Sequence, residues 1–336
     1  MFNVITIGSA SRDIFFTTSR GKIIPDPSSI EGRLLAFILG AKVSIESAYI
    51  SDGGGACNAA TAFARLGLKV APYMNVGRDE MGEQIILELV QEGADTQLIR
   101  MDEKLLTGTS VILIPAGIGD RTILFYSGAN RNLRIRDWQK IEDTSWFYVG
   151  PITREAPELP HQIADFAQQK SIKMANNPGL GQIELGFEYM SPVLEMLDVL
   201  IVNRAEATLL LRSKDPSISI SDNRQLAAEL IKTGPKIVAV TCGSEGSYAT
   251  EGGEIYFQEA IKTDIADVTG AGDSFGSTFV AAIIMGYDIK AAMLMAAINA
   301  ASVVSQLGAQ EGLLRLDEIR RSANSALETS NQKQSN

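Results

Sequence analysis

Seven residues in the last third of the chain concentrate its chemistry: Asp267-Val268-Thr269-Gly270-Ala271-Gly272-Asp273. Phe275, Phe279 and Ile283 follow at i, i+4 and i+8, so Gly270-Ala271-Gly272 lies where a loop becomes a helix. First-turn N–H groups have no intrahelical partner and sit at the positive end of the helix dipole. With only small side chains around them, they form an anion site that a ligand can approach. Asp273 sets a carboxylate on that same turn, placed to take the proton of an attacking hydroxyl. A plainer reading stands beside this one: the acid favours the dipole by about 0.3–1 kcal/mol and the glycines merely make a turn.

Other chemistries lack their residues. Gly270, Gly272 and Gly276 give a degraded G-x-G-x-x-G, but no clear strand directly precedes them and no suitable βαβ unit follows. A G-x-x-x-x-G-K-[ST] phosphate loop occurs nowhere. His161 is the only histidine, which argues against Ser-His-Asp and Cys-His catalysis and reads as a solvated residue near a helix start. Cys57 and Cys242 are far apart and make no zinc-ligand pattern, so two reduced thiols and no structural metal are expected.

The elements that must position Asp273 are legible in the hydrophobic pattern. From about residue 51, short β-rich runs alternate with helical patterns, as in a parallel sheet covered by helices. Strands are predicted over 69–74, 146–149, 198–202 and 236–241. Helices are predicted over 57–66, 80–92, 157–169, from about 206, and over 271–285 and 289–307, the last ending on Gly308 as a C′ glycine. A hairpin is expected around Gly252-Gly253. Two segments break the rhythm and read as antiparallel strands outside the main sheet. The fold expected is therefore α/β: a doubly wound, mostly parallel sheet flanked by helices (residues 1–16, 51–105 and 127–321), a small β lid (17–50 and 106–126) and a polar tail (322–336).

Thirty Lys and Arg against 40 Asp and Glu leave a net charge of −10, which opposes binding to nucleic acid. Anionic substrates must then be held by local donors. The most apolar stretch, 275–304, is cut by Gly286, Asp288 and Lys290, and Met1 to Gly8 has no basic n-region. A cytoplasmic protein that binds no membrane is expected.

The segment from Asp267 to Phe275 resembles the second signature of the PfkB, or ribokinase-like, carbohydrate kinases. Further motifs follow that family's order: Gly53-Gly54-Gly55-Ala56-Cys57-Asn58 is similar to its first signature, Asn203-Arg204-Ala205-Glu206 to its N-x-x-E element, and Thr241-Cys242-Gly243-Ser244-Glu245-Gly246 to its nucleotide-side turn. The resemblance implies an ATP-dependent kinase acting on a sugar hydroxyl, with the ribokinase-like fold. It makes Asp273 the base, and Gly270, Ala271 and Gly272 the anion hole for the transferring phosphoryl group. It assigns Asn203 and Glu206 to Mg²⁺ and its waters, where the residues alone read equally as a helix cap and a first-turn acid. Asp13, at the end of the first strand, and Asn58 become substrate ligands, a carboxylate and an amide suited to vicinal hydroxyls. Ser11, Gly54 and Gly55 belong to the same pocket. Thr241, Gly243 and Gly246 line the nucleotide, Asn299 approaches the base, and Asp267 with Thr269 attends a K⁺ ion, or else simply fixes the turn.

Two departures fall among the substrate contacts. Ser11 stands where many relatives carry Asn, and Gly55 where ribokinases carry Lys. Both weaken a ribose assignment and leave a nucleoside acceptor open. Gly128-Ala129-Asn130 can approach substrate, whereas Arg131 reads as a solvated loop residue. A metabolite-binding protein without turnover is the rival of a different class, and exposed lid strands allow a homodimer.

Overall fold

A computed structural model describes residues 1–26, 32–118, 120–220 and 222–324. Its centre is an eight-stranded sheet, in spatial order Glu254–Gln258, Ser247–Glu251, Ile237–Thr241, Val199–Asn203, Lys173–Asn176, Trp146–Val149, Val4–Ile7 and Val70–Tyr73. The six strands from Ile237–Thr241 to Val70–Tyr73 run parallel; the two at the other edge form the antiparallel hairpin expected at Gly252-Gly253. Val4–Ile7 and Trp146–Val149 are buried throughout on both faces, which explains their nearly continuous apolar runs, whereas Lys173 and Asn203 expose the ends of their strands. Alternation still divides the side chains. Phe147 and Val149 join one core with Ile163, Leu194 and Leu210, while Trp146 and Tyr148 join the other with Phe63, Phe279 and Met293.

A second sheet of four strands lies outside, in the order Thr122–Tyr126, Thr109–Pro115, Ser11–Thr18, Ser47–Gly53. Its outer pairs are antiparallel, as expected for the lid, but its central pair, Ser11–Thr18 with Thr109–Pro115, is parallel. This corrects the division at residue 16. Residues 11–16 and 51–53 pair within the smaller sheet, and Asp13 lies on that sheet's strand rather than at the end of the first one. The chain leaves Val4–Ile7, turns through Gly8 to Ala10 and enters the lid at once, too short an interval for the hydrophobic pattern to register. Lys22–Pro25 and Arg33–Ala36 add a small antiparallel pair.

Helix starts are closely predicted where a cap marks them. Asp79 caps Glu80–Gln91 and Asp288 caps Ile289–Val304 with side-chain oxygens. Ends are less faithful. The last of these helices stops at Val304 on a Ser305 C-cap, and Gly308 adopts its φ of 89° beyond it, in the loop rather than at the helix terminus. Residues 322–324, expected to begin the tail, continue a helix from residue 316; the rest of the tail, with lid residues 27–31 and Gly119, lies outside the described residues. His161 is only partly solvated: it is half-buried, with its Nε2 2.8 Å from the Tyr189 carbonyl oxygen. Among the described residues, no helix is long and apolar enough to cross a membrane.

Candidate active site

The cleft lies where the two sheets meet, over the carboxyl ends of the parallel strands, the usual place for a ligand in an open α/β sheet. It encloses about 520 Å³ and is lined by Ser11, Asp13, Gly54, Asn58, Thr269, Gly270 and Asp273, with lid residues Ser110, Ile112, Ile123 and Phe125 opposite. Residues separated by most of the chain therefore share one cavity.

Gly270 caps the helix Ala271–Ile284 with φ 77°, a left-handed conformation natural to glycine, and no side chain caps the helix. A Cβ on Gly270 would come within 2.5 Å of the Ala309 Cβ, whereas one on Gly272 would meet nothing. The first-turn amides of Gly272 and Asp273 thus stay open, and that of Ala271 makes only a long 3.4 Å bond to the Val268 carbonyl oxygen, an arrangement that fits a phosphoryl anion. Asp273, on that turn, accepts a hydrogen bond from Asn58 Nδ2 at 2.8 Å. Burial raises its carboxyl above the ordinary value, the Asn58 bond pulls it back, and the charge of Asp13 raises it again. A carboxylate made more basic is the better proton acceptor near neutral pH.

Asp13 is buried on the lid side of the cleft. Ser11 Oγ donates to its Oδ1 at 2.9 Å, and Ser110 bonds it from the neighbouring strand, where the parallel register pairs Asp13 with Ser110. Burial raises its carboxyl, while the two serines and Arg12 oppose the rise. Gly54, with φ 91°, opens the helix Gly55–Arg65, whose first turns carry Asn58. A Cβ on Gly54 would lie 2.6 Å from the Ser9 carbonyl oxygen, so only glycine lets this turn pass over the end of the first strand.

At the end of the strand Val199–Asn203, Asn203 and Glu206 form a reciprocal capping box: Glu206 N donates to Asn203 Oδ1 and Asn203 N to Glu206 Oε2, each at 2.9 Å. The helix-cap reading is therefore realised. It does not exhaust Glu206, which is buried and raised by that burial, with the charge of Asp273 adding to the rise. Among the described residues no three acidic, histidine or cysteine side chains converge to hold a metal directly; Glu206 is a hard oxygen donor whose negative charge, raised in cost by burial and by Asp273, fits a Mg²⁺ ion held through water. Thr241 lies beside Asn203 in the parallel register, and the turn Gly243–Glu245 follows it. Gly243 faces open space, but a Cβ on Gly246 would come 2.2 Å from the Gln258 carbonyl oxygen, so Gly246 serves the packing of the edge hairpin.

Asn299 departs from its expected place near the base. It is fully buried, donating to Thr278 Oγ1 at 2.7 Å and accepting from Leu314 N at 2.8 Å, which ties its helix to the Ala271–Ile284 helix and to the chain that follows. Asp267 accepts from Thr269 N and Oγ1 with one oxygen and from Gly308 N with the other, so the turn-fixing reading accounts for both. Asn130 pins Ala10 through two hydrogen bonds and lines the cleft, whereas Arg131 forms a half-exposed pair with Glu155. Missing from the sequence reading were Ser110, the apolar wall of Ile112, Ile123 and Phe125, and Gln310, which bonds Asn58. For Ser110 the only available signal was strand pairing, which a single sequence does not reveal.

Comparison with known proteins agrees with this geometry. The family model described as pfkB family carbohydrate kinase matches residues 42–315. The chain is 28% identical over 336 residues to the ribokinase of Schizosaccharomyces pombe, covering 96% of this chain and 98% of that protein. It is likewise 28% identical over 258 residues to an uncharacterized sugar kinase of Archaeoglobus fulgidus, covering 75% and 98%. In fold it is similar to Arabidopsis thaliana ribokinase complexed with ribose and ATP, at a TM-score of 0.78 and 22% identity, covering 96% and 98%. The nucleoside kinase of Methanocaldococcus jannaschii is similar at 0.75 and 21%, covering 96% and 98%. With the family model matching residues 42–315, most of its length, the chain belongs to the pfkB family of carbohydrate kinases.

Proposed function

We propose that the chain moves the γ-phosphoryl group of ATP to a hydroxyl of a small sugar or sugar-like acceptor, with Asp273 as general base. The observation that carries this reading is the position of Asp273 on the uncapped helix start at Gly270, bonded to Asn58 and within the field of Asp13. Asp13 and Asn58 orient the acceptor hydroxyl, Asp273 takes its proton, and the amides of Ala271, Gly272 and Asp273 hold the phosphoryl oxygens. Phosphoryl transfer asks chiefly for such positioning and charge stabilisation, and closure of the lid excludes the water that would hydrolyse ATP.

Bound Mg²⁺ supplies neutralisation of phosphate charge, and Glu206 with Asn203 would hold it through water; a putative ribokinase II from E. coli is known in complex with ATP and Mg²⁺. Thr241 and Gly243 line the nucleotide. Asp267 and Thr269, beside Gly308, are the place for a K⁺ ion. The cytoplasm, where ATP is abundant, is the setting this chemistry requires. A homodimer through the lid is part of the proposal, because Leu124 and Tyr126 are exposed on the edge strand Thr122–Tyr126.

A nucleoside acceptor is the second reading, favoured by one feature: Ile112, Ile123 and Phe125 give the lid side of the cleft an apolar wall on which a base can stack. An ATP-consumption screen against pentoses, hexoses, sugar acids, phosphorylated sugars and nucleosides separates the two. Asp273→Asn is expected to lower kcat by about 10²–10⁴-fold with the best acceptor, the usual worth of a general base. Near wild-type turnover in that variant would overturn the role of Asp273, and an absence of ATP turnover across the panel would mark a metabolite-binding protein.

A further inference from the structure

The loop that follows the last long helix touches both halves of the catalytic apparatus. Ala309 packs under Gly270, close enough that any Cβ there would collide with it. Its neighbour Gln310 reaches Asn58: Gln310 Nε2 donates to Asn58 Oδ1 at 2.9 Å, and Asn58 Nδ2 donates to Asp273 at 2.8 Å. On the other side, Thr61 Oγ1 donates to Gln310 Oε1 at 3.0 Å. Arg65 secures the loop, its Nη1 donating to the carbonyl oxygens of Gln310 and Leu313 at 2.8 Å each.

These bonds all run in one direction, from Thr61 through Gln310 and Asn58 to Asp273. We propose that Gln310 is a positioning residue that fixes the orientation of the Asn58 amide, so that Asn58 always presents an N–H, and never its carbonyl, to Asp273. An amide has two faces of opposite polarity and nearly identical shape. While Asp273 is ionised it accepts only, and the Asn58 orientation is enforced from that end. Once Asp273 has taken the acceptor's proton it can donate, and a free Asn58 would turn its carbonyl round and stabilise the protonated acid. Gln310, whose Oε1 accepts from Thr61 and whose Nε2 also donates to Cys57 Sγ at 3.5 Å, opposes that reversal. Asn58 therefore favours the charged form of Asp273 throughout the cycle, and Asp273 releases the proton for the next turnover. The inference rests on Asp273 being the base.

Three near-isosteric variants separate this from a merely structural role. Gln310→Lys keeps a donor toward Asn58, Gln310→Met offers neither polarity, and Gln310→Glu only accepts, so that it forces Asn58 to reverse. With ATP and whichever of D-ribose, D-fructose, adenosine and inosine turns over fastest, kcat should fall about threefold for Lys, tenfold for Met and 30- to 100-fold for Glu, with KM for ATP unchanged. A loss of packing alone would lower Lys and Glu together.

A second measurement needs no acceptor: the titration of the Asp273 carboxyl followed by ¹³C NMR, assigned by its loss in Asp273→Asn. The groups facing that carboxyl are Asn58, Asp13, Glu206 and the Tyr148 hydroxyl, and only the first changes its contact with Gln310. The midpoint should move up in Met and further in Glu. Thermal denaturation of each variant reports folding, and Thr61→Val offers a milder perturbation of the same chain of bonds. Equal kcat in Lys and Glu, or an Asp273 titration unmoved in Gln310→Met, which adds no charge of its own, overturns the proposal. Full turnover in Asp273→Asn overturns the role of the base instead, while the titration still decides the relay.

Discussion

Asn58 and Asp273 stand 215 residues apart in the chain and are joined by a 2.8 Å hydrogen bond. The first arrives on the helix opened by Gly54, the second on the helix opened by Gly270, and both helices start at the same cleft. Because Asn58 donates, it favours the ionised Asp273 against a burial that disfavours it. Asn58→Leu removes the donor while nearly keeping the volume, so the Asp273 carboxyl should become harder to ionise. A base must be ionised to act, and the acidic limb of the kcat/KM profile should therefore move to higher pH. At pH 7 the loss should be about 10- to 100-fold, with KM for ATP little changed. A pH series of initial rates checks both, and a limb that stays in place would remove Asn58 from the control of Asp273.

Glu206 carries two roles that substitution can separate. Its carboxylate accepts from Asn203 N in the capping box, and in the proposed reading its charge also serves the Mg²⁺ ion. Glu206→Gln keeps an acceptor and loses only the charge, so its melting temperature should hold while the Mg²⁺ concentration for half-maximal rate rises by about tenfold. Glu206→Ala loses the cap as well, at a cost of about 1 kcal/mol of stability. Denaturation curves beside Mg²⁺ titrations distinguish them. Equal Mg²⁺ dependence in wild type and Glu206→Gln would confine the residue to its cap.

Most of this site was legible because its parts are local. Gly270 to Asp273, Gly54 to Asn58, and Asn203 with Glu206 are each a helix start, and a helix start is written in a few consecutive residues. What was illegible depends on register and on tertiary closure. Ser110 reaches Asp13 only because two strands pair in parallel, and Gln310 reaches Asn58 only because its loop folds back over the helix carrying Asn58. Asn299 shows the converse limit: an asparagine on a helix near the site looks available from sequence, yet its amide is consumed inside the core by Thr278 and Leu314. The lid boundary slipped for a related reason, since Ser11 to Thr18 alternates as any half-buried strand does and nothing local says which sheet it joins.

Gly55 has a steric reason to lack the lysine of ribokinases. A Cβ there would lie 2.4 Å from Pro151 Cδ, and Pro151 in turn sits 3.0 Å from where a Cβ on Gly179 would be. The proline ring cannot swing aside as a flexible chain end can. Gly55→Lys alone should therefore destabilise the fold by about 1–3 kcal/mol, the usual cost of overpacking, and should not improve turnover of D-ribose. Combined with Pro151→Gly, the same substitution should recover most of that stability. Urea denaturation of the single and double variants tests the clash, and simple additivity of the two substitutions would refute it.

Where the lid joins the larger domain, a small charge cluster sets a pH dependence. Arg12 and Asp52 face each other across paired lid strands and are ion-paired, and Arg12 Nη1 also reaches Glu88, on the helix Glu80–Gln91, at 2.9 Å. The second Asp52 oxygen is buried without a donor and has Glu88 as its neighbour; a proton held between the carboxylates satisfies both. Burial, reinforced by Glu88 and opposed by Arg12, pushes Asp52 up to about 7. Glu88 is also pushed up by burial, but Gln84, Asp52 and Arg12 together hold it below its ordinary value. Between about pH 4 and 7 the folded chain thus holds a proton on Asp52 that the unfolded chain has released, and linkage makes this contribution to stability fall as pH rises. Glu88, with the opposite sign, acts only below its ordinary value near 4.5. The stability of the wild type relative to Asp52→Asn should accordingly decline from pH 5 to 7, by at most about 1.4 kcal/mol per pH unit, and level off above 8. Urea midpoints of the two proteins at pH 5, 6, 7 and 8 measure it. A relative stability that grows with pH over this window would mean that Arg12 keeps Asp52 ionised throughout, with no proton shared at the junction of lid and domain.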